Sequence, residues 1–93
     1  MEDLKQLIND EKTFLVDVRT SAEVERKSVP GAENIPLDDV PNKVDTFKAA
    51  QGSVVVFCRS GNRSEKAKNF LKDQGLENVF NGGGIEDVLN HKK

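Results

Sequence analysis

The residues in this chain best suited to chemistry lie in one short run, Cys58-Arg59-Ser60-Gly61-Asn62-Arg63-Ser64. Cys58 is the only cysteine, and it ends the apolar run Val54-Val55-Val56-Phe57. A thiolate is the reactive form of cysteine, and nearby cations or a helix N-terminus favour it. Arg59 and Arg63 supply charge, and a helical pattern from Ser64 supplies a dipole. Gly61 permits backbone conformations closed to other residues. The amides from Arg59 to Ser64 can then turn inward as an anion nest around the sulfur. Strand, loop and helix start thus predict an anion site with a thiol at its base.

Each of these residues also has a plainer reading. A lone cysteine closing a buried strand is usually a small hydrophobe. Two arginines, a glycine and a helix start so close by favour function. Ser60 reads as a turn residue, and Ser64 first as a helix cap. Asp17 reads as a structural carboxylate binding loop amides. His91 stands near the C-terminus, so no Cys–His hydrolase is expected. One cysteine and one histidine make no metal-ligand set. Gly82-Gly83-Gly84 has neither G-x-G-x-x-G nor GK[ST] spacing and reads as a flexible turn beginning at Asn81, packed against the active-site layer.

The elements that must hold this loop follow from periodicity. The chain has 93 residues, which predicts one domain over residues 1–93. Asp3 caps a helix running to Asp10, with Leu4, Leu7 and Ile8 on one face. Phe14–Val18 reads as a strand buried on both sides, and Asp17 and Arg19 stand where it meets its loop. Thr20 and Glu23 form a capping box for a helix from Ser21 to about Lys27. Pro30-Gly31 marks a turn and Asn34–Leu37 an extended piece. A helix carries Val44 and Phe47, and Val54–Phe57 is the second strong strand. The helix from Ser64 to Gln74 buries Ala67, Phe70 and Leu71, and Gly75 stops it. Asn78–Phe80 is a third strand, and Ile85 to about Asn90 a last helix. Alternating strands and helices predict an α/β fold, with ligands bound beyond the carboxyl ends of the strands.

Composition excludes several classes. Charged residues make up 32% and net charge is -2, with no basic block, so nucleic acid is not an expected partner. No apolar run is long enough to span a bilayer. A single cysteine without a recognisable leader in Met1–Gln6 predicts a reducing, cytoplasmic setting.

With these residues in hand, the chain resembles a single-domain rhodanese-like sulfurtransferase. Three blocks carry the resemblance: Phe14–Arg19 with Glu23, Pro30–Leu37, and Val56–Ser64, which is a close match. Gly83-Gly84-Ile85 resembles the family's closing turn. The resemblance implies a three-layer fold, a mainly parallel sheet of four to five short strands flanked by helices. It implies that Cys58 takes the outer sulfur of a donor such as thiosulfate and holds it as a persulfide. A thiol, for example on a thioredoxin-like protein, or cyanide in an assay, would then accept the sulfur. Arg59, Ser60, Gly61, Asn62, Arg63 and Ser64 would bind the small anionic donor and the persulfide, with Asp17 and Arg19 in support and no cofactor or metal. The related cell-cycle phosphatases share the fold but place one more residue between Cys and Arg. The tighter loop Cys58-x-x-x-x-Arg63 favours sulfur transfer over a thiol phosphatase or arsenate reductase. A non-catalytic interaction module commonly loses the cysteine that is present here. The chain departs from the family at Lys27-Ser28-Val29, Val24 and Val88, and a usual first strand is missing or very short.

Overall fold

The computed structural model describes residues 3–93. Four parallel strands form one sheet, β1 Phe14–Asp17, β2 Glu33–Asn34, β3 Val54–Cys58 and β4 Val79–Gly84, in the order β2-β1-β3-β4. Five α-helices accompany them: α1 Leu4–Asn9, α2 Ser21–Arg26, α3 Val44–Lys48, α4 Asn62–Asp73 and α5 Ile85–His91. The α/β three-layer expectation holds, with four strands.

Alternation along β3 builds both layers. Val54, Val56 and Cys58 face α3 and α4, and join Val16, Phe47, Ala67 and Leu71 in one core cluster. Val55 and Phe57 face the other way, against Leu7, Ile8, Ile85 and Val88 from α1 and α5. All five residues of β3 are buried, which explains its unbroken apolar run. Leaving β1 the chain moves to β2 on one side; it then returns to β3 on the other side. The carboxyl ends of β1 and β3 therefore flank a topological switch point, where open parallel sheets place their ligand crevices.

Two local expectations change, and a 3-10 helix is added to the elements read from the sequence. The segment before α3 is a 3-10 helix, Leu37–Lys43, because Pro41 removes an amide from any regular α-helical ladder. α4 starts at Asn62, two residues earlier than its apolar pattern indicates, since Gly61 at φ 97° supplies the turn into it. Asn81-Gly82-Gly83-Gly84 is not a flexible turn: it completes β4. Val56 pairs with Asn81 but Cys58 with Gly84, so β4 carries one extra residue. Gly83, at φ 86°, absorbs that bulge.

Candidate active site

Cys58 stands at the carboxyl end of β3 and is 1% exposed. The Gly61 amide donates to its Sγ at 3.0 Å, and the Ser64 hydroxyl lies 3.5 Å away. Burial pushes the thiol up. The Ser64 hydroxyl and the amides of Ser64, Ser60 and Gly61 outweigh it and leave the thiol below its usual value of 9.0. Of the amides from Arg59 to Ser64, that of Gly61 makes the direct hydrogen bond to the sulfur.

The other sequence-marked residues divide by position. Arg59, Ser60 and Asn62 are exposed at the mouth. Ser64 is not the cap of α4. It is the third helical residue, fully buried, and its hydroxyl points to Cys58 and to Asn81. Arg63 turns to Glu23 on α2, donating from Nη1 to Oε1 at 2.7 Å and from Nη2 to Oε2 at 3.0 Å. The Arg63 hydrogen bond outweighs partial burial and, with Thr20, holds the Glu23 carboxyl at about 2. The Glu23 hydrogen bond in turn raises Arg63, and the nearby Cys58 sulfur adds to that.

Asp17 and Arg19 are 2% and 5% exposed and form a closed pair. The Asp17 carboxylate accepts the Arg19 amide at 2.9 Å and the Arg19 guanidinium at 2.7 Å. Arg19 also donates to the Lys27 carbonyl at 2.6 Å and so fastens the end of α2. This geometry matches the structural reading of Asp17.

Sequence reasoning missed Asn81. Its Oδ1 accepts from the Ser64 hydroxyl at 2.7 Å and from the Gly83 amide at 2.9 Å. Its Nδ2 donates to the Gly61 carbonyl at 3.0 Å and to Glu65 at 3.1 Å. Asn followed by glycines carries a turn signal, which concealed it. Strand periodicity was the available cue: Asn81 falls on the same face as Val79, opposite Val56.

Beside the loop lies a cleft lined by four cationic residues, Arg19, Arg26, Lys27 and Arg59, and two acidic ones, Glu23 and Glu86. A thiol held by a loop amide, next in the chain to Arg59 of that cleft, can attack an electrophilic sulfur and stabilise the anion that forms.

The rhodanese-like domain family matches residues 1–91. The chain belongs to this family. It is 35% identical to the thiosulfate sulfurtransferase PspE of Escherichia coli, over 78% of this chain and 71% of that protein. A solved structure described as a rhodanese with anions from E. coli superposes with a TM-score of 0.74 at 34% identity, covering 81% of this chain and 89% of that one. The chain is also 36% identical to a tRNA uridine(34) hydroxylase of Synechococcus elongatus, over 95% of its own length but 35% of that protein. The sulfurtransferase relatives support sulfur transfer as the general class of chemistry. Among the described residues, no helix is long and apolar enough to cross a membrane.

Proposed function

We propose that this protein is a thiosulfate sulfurtransferase-type enzyme working through a persulfide on Cys58. The observation that carries the reading is the buried Cys58 sulfur, held at 3.0 Å from the Gly61 amide in a loop whose hydrogen bonds favour the thiolate. The Cys58 thiolate attacks the outer sulfur of thiosulfate. A bond forms between Sγ and that sulfur, the bond to the sulfonate sulfur breaks, and sulfite leaves with the electron pair. An acceptor thiolate then attacks the outer sulfur and releases the Cys58 thiolate. The acceptor leaves as a persulfide, or as thiocyanate when cyanide takes its place. This is covalent catalysis in two steps.

The geometry suits a slender donor. Cys58 is 1% exposed, so bulky disulfides are excluded from its sulfur. A persulfide extends the reactive atom outward by about 2 Å, the length of one S–S bond, and brings it within reach of a larger acceptor such as a thioredoxin-like protein. The loop amides stabilise the anionic persulfide sulfur. Arg59, exposed and without an ion pair among the described residues, draws an anionic donor toward the cleft. Arg63 serves mainly to hold α2 through Glu23. The single thiol suits a reducing cytoplasm.

Intact mass after incubation with thiosulfate is the test. The expected product is heavier by one sulfur atom, located on Cys58 by peptide mapping and absent in Cys58→Ser. Thiocyanate should form when cyanide is added. No added sulfur and no thiocyanate would overturn the reading, and aryl-phosphate turnover lost in Cys58→Ser would establish a thiol phosphatase in its place.

A further inference from the structure

We propose that Asn81 is a positioning residue that controls the Ser64 hydroxyl, accepting its hydrogen bond while Cys58 is a thiol and yielding that hydrogen bond to the sulfur when Cys58 ionises. The inference concerns the ionisation of Cys58 and holds whichever sulfur donor the protein uses.

The orientation of Asn81 is fixed by two backbone groups of opposite kind. The Gly83 amide can only donate, so the atom facing it at 2.9 Å is Oδ1. The Gly61 carbonyl can only accept, so the atom facing it at 3.0 Å is Nδ2. With Glu65 on the second Nδ2 proton, the amide cannot flip without breaking these bonds. Ser64 therefore meets an acceptor at Asn81, 2.7 Å away, and donates its only proton there. Its contact with Cys58 at 3.5 Å then has a single polarity in the thiol state: the S–H donates to Oγ.

Ionisation reverses that polarity. A thiolate has no proton to give and needs a donor, and the Ser64 proton is the one that hydroxyl can offer. Rotation about the Ser64 Cβ–Oγ bond moves it from Asn81 to the sulfur. Asn81 Oδ1 keeps the Gly83 amide throughout, so it is not left unpaired when the Ser64 proton turns away. Meanwhile Nδ2 stays on the Gly61 carbonyl and preserves the turn whose amide also reaches Sγ. A hydroxyl with two acceptors in reach and one proton links the charge on Cys58 to β4.

The charged groups around this network come from several elements. Arg63 and Glu65 belong to α4, Glu23 to α2, Asp17 and Arg19 to the end of β1, Arg59 to the loop and Asp87 to the start of α5, where it accepts the Gly84 amide. Arg63 holds the Glu23 carboxyl down to about 2, and Asn81 and Lys68 lower that of Glu65. His91, at the far end of α5, contacts Asn9 through its carbonyl.

The test reads the Asn81 side-chain amide by NMR in 15N-labelled protein while pH is raised through thiolate formation, followed by ultraviolet absorbance. The Asn81 Nδ2 resonances are expected to move with the Cys58 midpoint, to lose most of that movement in Ser64→Ala, and to regain it in Ser64→Thr, which restores a hydroxyl. Resonances that stay still in the unsubstituted protein overturn the proposal without recourse to any variant. Movement undiminished in Ser64→Ala also overturns it, because the signal would then be the direct field of the sulfur.

Discussion

At the scale of single residues, the sulfur site depends on hydrogen bonds more than on ion pairs. Ser64 and Gly61 are the side chain and the turn that act on Sγ most directly. Ser64→Ala removes a donor from the thiolate while leaving Asn81 its Gly83 partner, so the thiol should ionise at higher pH. Iodoacetamide alkylation followed against pH reads this as a shift of the rate midpoint upward. Gly61 at φ 97° has room for a methyl group, the nearest atom being 3.5 Å from a built Cβ. Gly61→Ala should therefore cost the conformational penalty alone, about 1–2 kcal/mol, measurable by urea unfolding. Chain order displayed most of this site, because Cys58 to Ser64 are consecutive and their amides close on the sulfur locally. Asn81 was hidden because its role exists only once β4 lies beside β3.

At the scale of elements, two ties hold the loop from opposite sides. Glu23 and Arg63 join α2 to α4, with side chains 31% and 33% exposed. α2 buries no residue of its own, so this tie, the Arg19 bond to Lys27 and the exposed Lys27–Glu86 pair with α5 help place it. The Glu23 carboxyl has a depressed value in the folded state, about 2 against an ordinary 4.5. Its contribution is therefore complete above pH 4.5 and is lost as pH falls from there toward 2. With both partners partly solvated, the contribution should be at most about 1 kcal/mol. Glu23→Gln should flatten the stability-versus-pH curve in that acid window and leave the neutral slope unchanged; an unchanged acid slope would remove the pair from the account.

The second tie is the end of β4. A Cβ on Gly84 would lie 2.4 Å from the Arg59 carbonyl oxygen, so the backbone there must part to admit one. Gly84→Ala should cost about 1–3 kcal/mol and push the loop off the sulfur, with slower persulfide formation as the readout. Periodicity located α1, α2 and β3 within a residue or so because each has a clear apolar pattern or cap. It failed at β4 because glycines there serve close packing and a bulge, and composition does not distinguish that from a turn.

At the scale of the whole molecule, β3 is the shared wall of two cores. Val56 closes one and Phe57 the other, and both are 0% exposed. Phe57→Ala should cost about 3–5 kcal/mol, against a total that for domains of this kind is about 5–15 kcal/mol. Chemical denaturation should show it as a large drop in midpoint, and a drop under about 1 kcal/mol would mean the second core carries little of the fold. Because every strand pairing is parallel, none closes through a local hairpin. The central strand must wait for distant partners, and slow folding is the expected kinetic signature. In the folded protein, the single thiol, 1% exposed at the tip of that strand, gives local opening a clock. A maleimide too large for the native crevice reacts only when the loop that closes on the sulfur, or the strand end beneath it, opens. Its labelling rate then counts the opening of that loop and strand end in protein that is otherwise folded.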